Sequence, residues 1–358
     1  MAFDPYQEDC QRLVLHRMSD LHASPSDYEK IGKLIAFYQS DPDQLIQNDK
    51  DRAFHLVAKA TELLDYRVPF MTNEQEAEAC AQTAENQLRE AISLDPDNWD
   101  AKRMLAAITA ASNDAYVTYL EDHVDEVKAS ATKNLRDESM SALEQDANEL
   151  DTRAWLRWLA ALASRQLIAG RYRRSLEAAE QCLFIDPIDT AGARHTAVLA
   201  LAKLQSTTTE IRTFIDEHEE AYKAETAGQP GAKPRPGVET PWALIALMAS
   251  CYQNFEQADA EAYLAKLLDC CPNAAETLTF QTEFPDGVYA RVNVAPGSTD
   301  ELVLALSEAI PLLQEGFGAP ENASFAAWVA THELVRSKLD PATLEKLAAI
   351  GYNAGGIE

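Results

Sequence analysis

No run of this chain approaches the roughly 18 consecutive apolar residues of a membrane span, and the first residues, Met-Ala-Phe-Asp-Pro-Tyr-Gln-Glu-Asp, are acidic where a secretory leader would be apolar. Those two absences lead us to expect a cytoplasmic protein with no membrane partner. Cysteine is scarce. Cys10, Cys80, Cys182, Cys251, Cys270 and Cys271 make up the whole set, with no C-x-x-C spacing among them, so neither a disulfide framework nor a thiolate metal centre is expected. The adjacent pair Cys270–Cys271 falls at an expected helix end. Neighbouring side chains on a helix diverge, which argues against the two thiols acting together. Basic charge is also short: 31 Lys and Arg stand against 58 Asp and Glu, a net charge of −27. A polyanion of that kind repels nucleic acid and anionic lipid, so neither is an expected partner.

Local catalytic signatures are absent too. His332–Glu333 lacks the second histidine of a zinc-protease helix, because Arg336 stands where it would be. His16 and His22 do not share a helical face. His218 sits among Glu217, Glu219 and Glu220, an arrangement that reads as a solvated helix surface. There is no phosphate-cradling glycine loop and no nucleophile elbow. No catalytic residue, metal ligand or cofactor is assigned.

What is present is helical periodicity with a repeat. From Leu156, the residues Leu159, Leu162, Ala163 and Leu167 recur at helical spacing; Gly170 interrupts, Tyr172 begins a second helix, and Pro187 closes it. Ser175, Ala179 and Cys182 give that second helix a small-residue face, which lets two helices approach closely. The same offsets recur in Ala84, Leu88, Ala91 and Pro96, and again in Ala260, Leu264, Leu267 and Pro272. In the last unit, Pro241–Ala274, the turn around Asn254–Phe255 lacks the glycine.

Leu156–Pro187 resembles a tetratricopeptide repeat, with Leu159, Gln166 and Cys182 departing from the usual residues. The resemblance implies a mostly α fold, an antiparallel helix-pair solenoid, divided as residues 1–66 (N-terminal helices), 67–274 (repeats, with a Gly/Pro-rich loop at 227–237) and 275–358. In the last region, Leu278–Phe284 and Val288–Val294 alternate about Pro285-Asp286-Gly287. That pattern predicts a small β-hairpin near 278–294, with an irregular loop as the other reading. The family's concave groove would be lined here by Arg157, Ser164, Arg194, Trp242, Ile245 and Tyr252, and would take another protein or peptide. The Lys and Asn of the chaperone-type carboxylate clamp are missing at Ala160 and Ser164. Those apolar positions could instead be covered by the chain's own helices, and Arg194 could pair with Asp186 or Asp189. Three functions stay open: a non-enzymatic interaction scaffold or adaptor, a small-ligand sensor or enzyme on a helical frame, and a self-associating structural protein.

Overall fold

The computed structural model describes residues 4–133, 142–223, 235–280, 294–313 and 324–349. They are overwhelmingly helical, with no strand among the described residues. The chain divides into two compact units, and the division falls between Arg165 and Gln166.

In the first unit, α1 (Pro5–Asp20), α2 (Tyr28–Ser40), α3 (Asp49–Thr61), α4 (Glu74–Leu94) and α5 (Trp99–Thr109) precede α6 (Asn113–Asp122) and α7 (Val124–Thr132). Helix α8 (Ala142–Ile168) carries the chain across the division. Starts are set by side-chain caps: Asp4, Asp27, Asn48, Asn73, Asn98 and Ser112 each accept a backbone N–H from the first turn that follows. The end of α3 loosens into a π-helical turn, Glu62–Arg67. One core joins α3, α4 and α5 through Val57, Ala60, Ala84, Leu88, Ala91 and Met104; another joins Leu13, Met18, Leu34, Leu45 and Leu143.

The second unit holds α9 (Tyr172–Ile185), α10 (Ala193–Lys203), α11 (Thr208–Glu217), α12 (Glu219–Lys223), α13 (Pro241–Gln253) and α14 (Gln257–Leu268). Shorter pieces follow: α15 (Ala274–Thr279), α16 (Thr299–Glu308), α17 (Ile310–Leu313), α18 (Ser324–Thr331), α19 (Glu333–Arg336) and α20 (Pro341–Ala349). Helix α9 packs on α10, α10 on α13, and α13 on α14. Every residue of α13 from Pro241 to Cys251 is buried, as is α10 from Ala193 to Ala200. Helices buried on every side belong at the centre of a layer, and these two are covered by α9 and α14 together with α16 and α17.

The small-residue offsets read from the sequence are the packing positions. Ala84, Leu88 and Ala91, then Ser175, Ala179 and Cys182, then Ala260, Leu264 and Leu267 are all fully buried. The expected β-hairpin is corrected in its first part. Leu278 and Thr279 belong to α15, where Ala274, Ala275 and Leu278 share a buried helical face; a short apolar run satisfies either period. The rest of that expected hairpin, and most of the Gly/Pro-rich loop, lie outside the described residues. No described helix is long and apolar enough to cross a membrane.

Candidate functional site

The residues expected to line a groove are mostly buried by the chain itself. Arg157 and Ser164 belong to the first unit; Arg194, Trp242, Ile245 and Tyr252 belong to the second. Trp242 is buried, its ring stacked on His195 with centroids 3.8 Å apart. Its indole N–H donates to Glu308 Oε2 at 2.7 Å, which fastens α13 to the end of α16. Ile245 is fully buried. Tyr252 and Ser164 are half-buried, Tyr252 against Phe325 and Trp328 with centroids 5.1 and 5.2 Å away. The faces of α10 and α13 thus pack against α17 and α16 respectively.

Arg157 serves an interior charge cluster. Its guanidinium forks onto Asp100, with Nε and Nη2 donating to Oδ1 and Oδ2 at 2.7 and 2.5 Å, and Nη1 donates to Glu8 Oε2 at 2.9 Å. Arg12 donates to Glu8 Oε1 at 2.9 Å and to the Leu150 carbonyl at 2.6 Å. Burial alone would push the Asp100 carboxyl up, but the Arg157 charge and hydrogen bonds, aided by Arg103 and Arg12, hold it at about 2. Glu8, also buried, is likewise held below the usual carboxylate range by Arg157 and Arg12. These charges neutralise one another, and their chemistry is structural: α1, α5 and α8 are tied together inside the unit. Sequence reasoning missed the cluster because its members are spread across three helices.

Arg194 pairs with Asp189, one of the two partners considered from sequence. Asp189 adopts a left-handed φ of +58°. Its carboxylate accepts from Ala193 N at 2.7 Å, Arg194 N at 3.0 Å and Arg194 Nη1 at 2.9 Å. Asp186 Oδ2 accepts from Thr190 N and Oγ1 at 2.7 and 2.6 Å. Two aspartates therefore fix the whole connection between α9 and α10. Asp189 is turned inward, and the connection leaves apolar side chains outside: Phe184 is 87% exposed and Ile188 54%. Ile185 and Pro187 are exposed beside them.

A second outward aromatic of this unit is Phe255, 86% exposed in the turn between α13 and α14. Its φ is +63°, a region that disfavours bulky side chains. Gly170 holds the equivalent place between α8 and α9, with φ +75°. The two turns share one hydrogen-bond pattern. Gly170 N donates to Leu167 O and Arg171 N to Gln166 O; Phe255 N donates to Tyr252 O and Glu256 N to Cys251 O. This is the left-handed helix cap that glycine normally fills. The missing glycine at Asn254–Phe255 was visible in the sequence, and the strain and exposure of Phe255 are what that absence means in three dimensions.

Among the described residues no group of three or more His, Cys, Asp or Glu side chains is placed to hold a metal ion. Comparison with protein-family models, with curated proteins and with solved structures gives no match to this chain.

Proposed function

We propose that the chain is a tetratricopeptide-like helical-repeat scaffold that binds another protein through its outer turns, with Phe255 as a contact residue. The repeat reading is supported by the recurring buried offsets in α4, α9 and α14 and by the consecutive packing of α9, α10, α13 and α14. Short connections of the kind that join α9 to α10 and α13 to α14 return helices antiparallel. The inner faces of α10 and α13 are occupied by α16 and α17, so the binding surface is sought outside, where aromatic side chains stand in solvent.

One observation carries the reading. Phe255 costs stability in its backbone, at about 1–2 kcal/mol for a left-handed L-residue, while 86% of its surface stays in water. Glycine would remove the strain. An aromatic ring kept at such a place is the kind of anchor that dominates interface energetics.

The experiment uses the full chain carrying Phe255→Gly, compared with wild type by quantitative cross-linking and affinity capture from its native source. The expected result is a higher Tm together with loss of a stoichiometric partner, a combination that misfolding cannot produce. Capture of the same partner at the same yield by Phe255→Gly and by Phe184→Ser would overturn the reading. If the captured species is a second copy of this chain, seen as a doubled solution mass, the function is self-association.

A further inference from the structure

Helix α11 turns Ile211, Phe214 and Ile215 into the second unit, and a cap at Thr207 and Glu210 fixes where it begins. Arg212 follows the first of those buried residues and stands exposed on the flank. Helix α14 buries Ala260, Tyr263, Leu264 and Leu267 and leaves Lys266 exposed. Both helices pack against α13. One side-chain bond runs from α11 to α14: Arg212 Nη2 donates to Tyr263 Oη at 2.5 Å. The guanidinium carbon lies 5.7 Å from the centroid of the Tyr263 ring, and Lys266 Nζ lies 6.0 Å from the same centroid.

Two like charges gathered at one ring repel each other, and no carboxylate offsets them. Asp216 stands one turn beyond Arg212, Asp259 one turn before Tyr263, and Glu256 at the start of α14. Among the described residues none of the three forms an ion pair with Arg212 or Lys266. Glu261 pairs instead with His332 Nε2 at 3.5 Å. The chain holds 58 acidic residues against 31 basic ones, yet these two cations share a phenol and leave the acids beside them unpaired with either.

The phenol is the third member. Tyr263 is 8% exposed, its oxygen accepts from Arg212, and its own O–H has no acceptor among the described residues. A hydroxyl that receives one hydrogen bond can still give one. Everything this cluster has left to offer is therefore a donor: the Tyr263 O–H, the remaining N–H groups of Arg212 and the ammonium of Lys266. A ligand that only accepts, and carries negative charge, answers all three through charge-assisted bonds. The planar guanidinium fork suits a phosphate group in particular. The net charge of −27 repels extended polyanions. Charges beyond about 8 Å are largely screened at physiological salt, so the nearby donors govern a single small anion.

We propose that Arg212, Tyr263 and Lys266 form a binding site for one phosphoryl oxyanion, supplied as free phosphate or as a phosphate monoester. The two cations balance its two charges, and the Tyr263 O–H fixes its position between α11 and α14. The site goes beyond the Phe255 contact, and neither depends on the other.

The test is a titration of the full chain, isotope-labelled at tyrosine Cζ, with inorganic phosphate and with phenyl phosphate. Ionic strength is held constant at about pH 8, where a monoester is doubly charged. Tyr263→Phe identifies the Tyr263 signal by its loss. That signal should shift saturably in wild type. Arg212→Gln and Lys266→Gln should each weaken binding about tenfold or more. Lys128→Gln, at an exposed lysine of the first unit, should leave binding unchanged. Lys266 is exposed and bonds to no carboxylate among the described residues, so Lys266→Gln should melt as wild type does. Tighter binding of phenyl phosphate assigns the site to an esterified group; equal or tighter binding of inorganic phosphate assigns it to the free anion. A Tyr263 signal that stays still, a shift that survives undiminished in both charge variants, or equal weakening by Lys128→Gln would overturn the proposal.

Discussion

Phe255 and Gly170 occupy the same left-handed cap with opposite chemistry, and substitutions there have opposite signs. Phe255→Gly removes the strain of a bulky residue at φ +63°, partly offset by the greater freedom glycine gives the unfolded chain. The net expectation is stabilisation by about 1 kcal/mol, read as a rise in denaturant midpoint with unchanged slope. Gly170→Ala at φ +75° should cost about 1–2 kcal/mol by the same physics. A Cβ there would meet only Tyr172 Oη at 3.9 Å, so backbone strain and not crowding sets that cost. Arg157 is a residue-scale case of a different kind. Replacing it with Leu leaves Asp100, almost without solvent, only the more distant Arg103 at 3.7 Å, while Glu8 keeps Arg12. Loss of one partner from a buried pair costs about 3–5 kcal/mol, measurable by equilibrium urea unfolding.

At the scale of elements, local chemistry sets where helices begin. Thr207 and Glu210 form a reciprocal capping box at α11: the Thr207 hydroxyl accepts from Glu210 N at 3.2 Å, and Glu210 Oε2 accepts from Thr207 N at 2.7 Å. Thr207→Ala should destabilise by about 1 kcal/mol, and amide exchange should quicken first in α11. Helix periods were legible in the sequence because they rest on contacts within a few residues. The second helices of the three repeat units, read from their shared offsets, appear as α4, α9 and α14. The region 278–294 was less legible. The Ala-Ala-x-x-Leu face that makes α15 a helix lies upstream of where the alternation begins, and so few residues fit either period. Of the candidate site, the turn lacking glycine was legible. That Phe255 stands exposed was not, because exposure is decided by what packs around it.

The whole molecule carries the consequences of charge. At neutral pH the −27 balance favours expansion through self-repulsion, and the interior cluster of the first unit opposes it locally. Asp100 has its carboxyl held at about 2 against an ordinary 3.8. A depressed carboxylate contributes stability that is complete above its unfolded value and is lost as pH falls through its folded value. That contribution, about 2 kcal/mol, should therefore disappear between about pH 4 and pH 2. Asp100→Asn should be less stable than wild type at pH 5, with the difference narrowing as the pH approaches 2 in urea titrations. Asp65 runs the other way. Burial, only partly offset by Arg103, raises its carboxyl to about 6. Its ionisation burdens the folded state as pH rises from the ordinary value towards 6, so Asp65→Asn should raise Tm at pH 7 and have little effect near pH 3.

The sequence by itself determined that the chain would be mostly helical, which residues would face inward at the repeat offsets, and that one turn would do without its glycine. Each follows from interactions spanning a few residues. Only the tertiary structure decided that Arg157 closes an interior charge cluster and that α16 and α17 cover the faces of α10 and α13. Those outcomes depend on which distant segments compete to bury the same surface, and that competition is settled by packing across the whole unit.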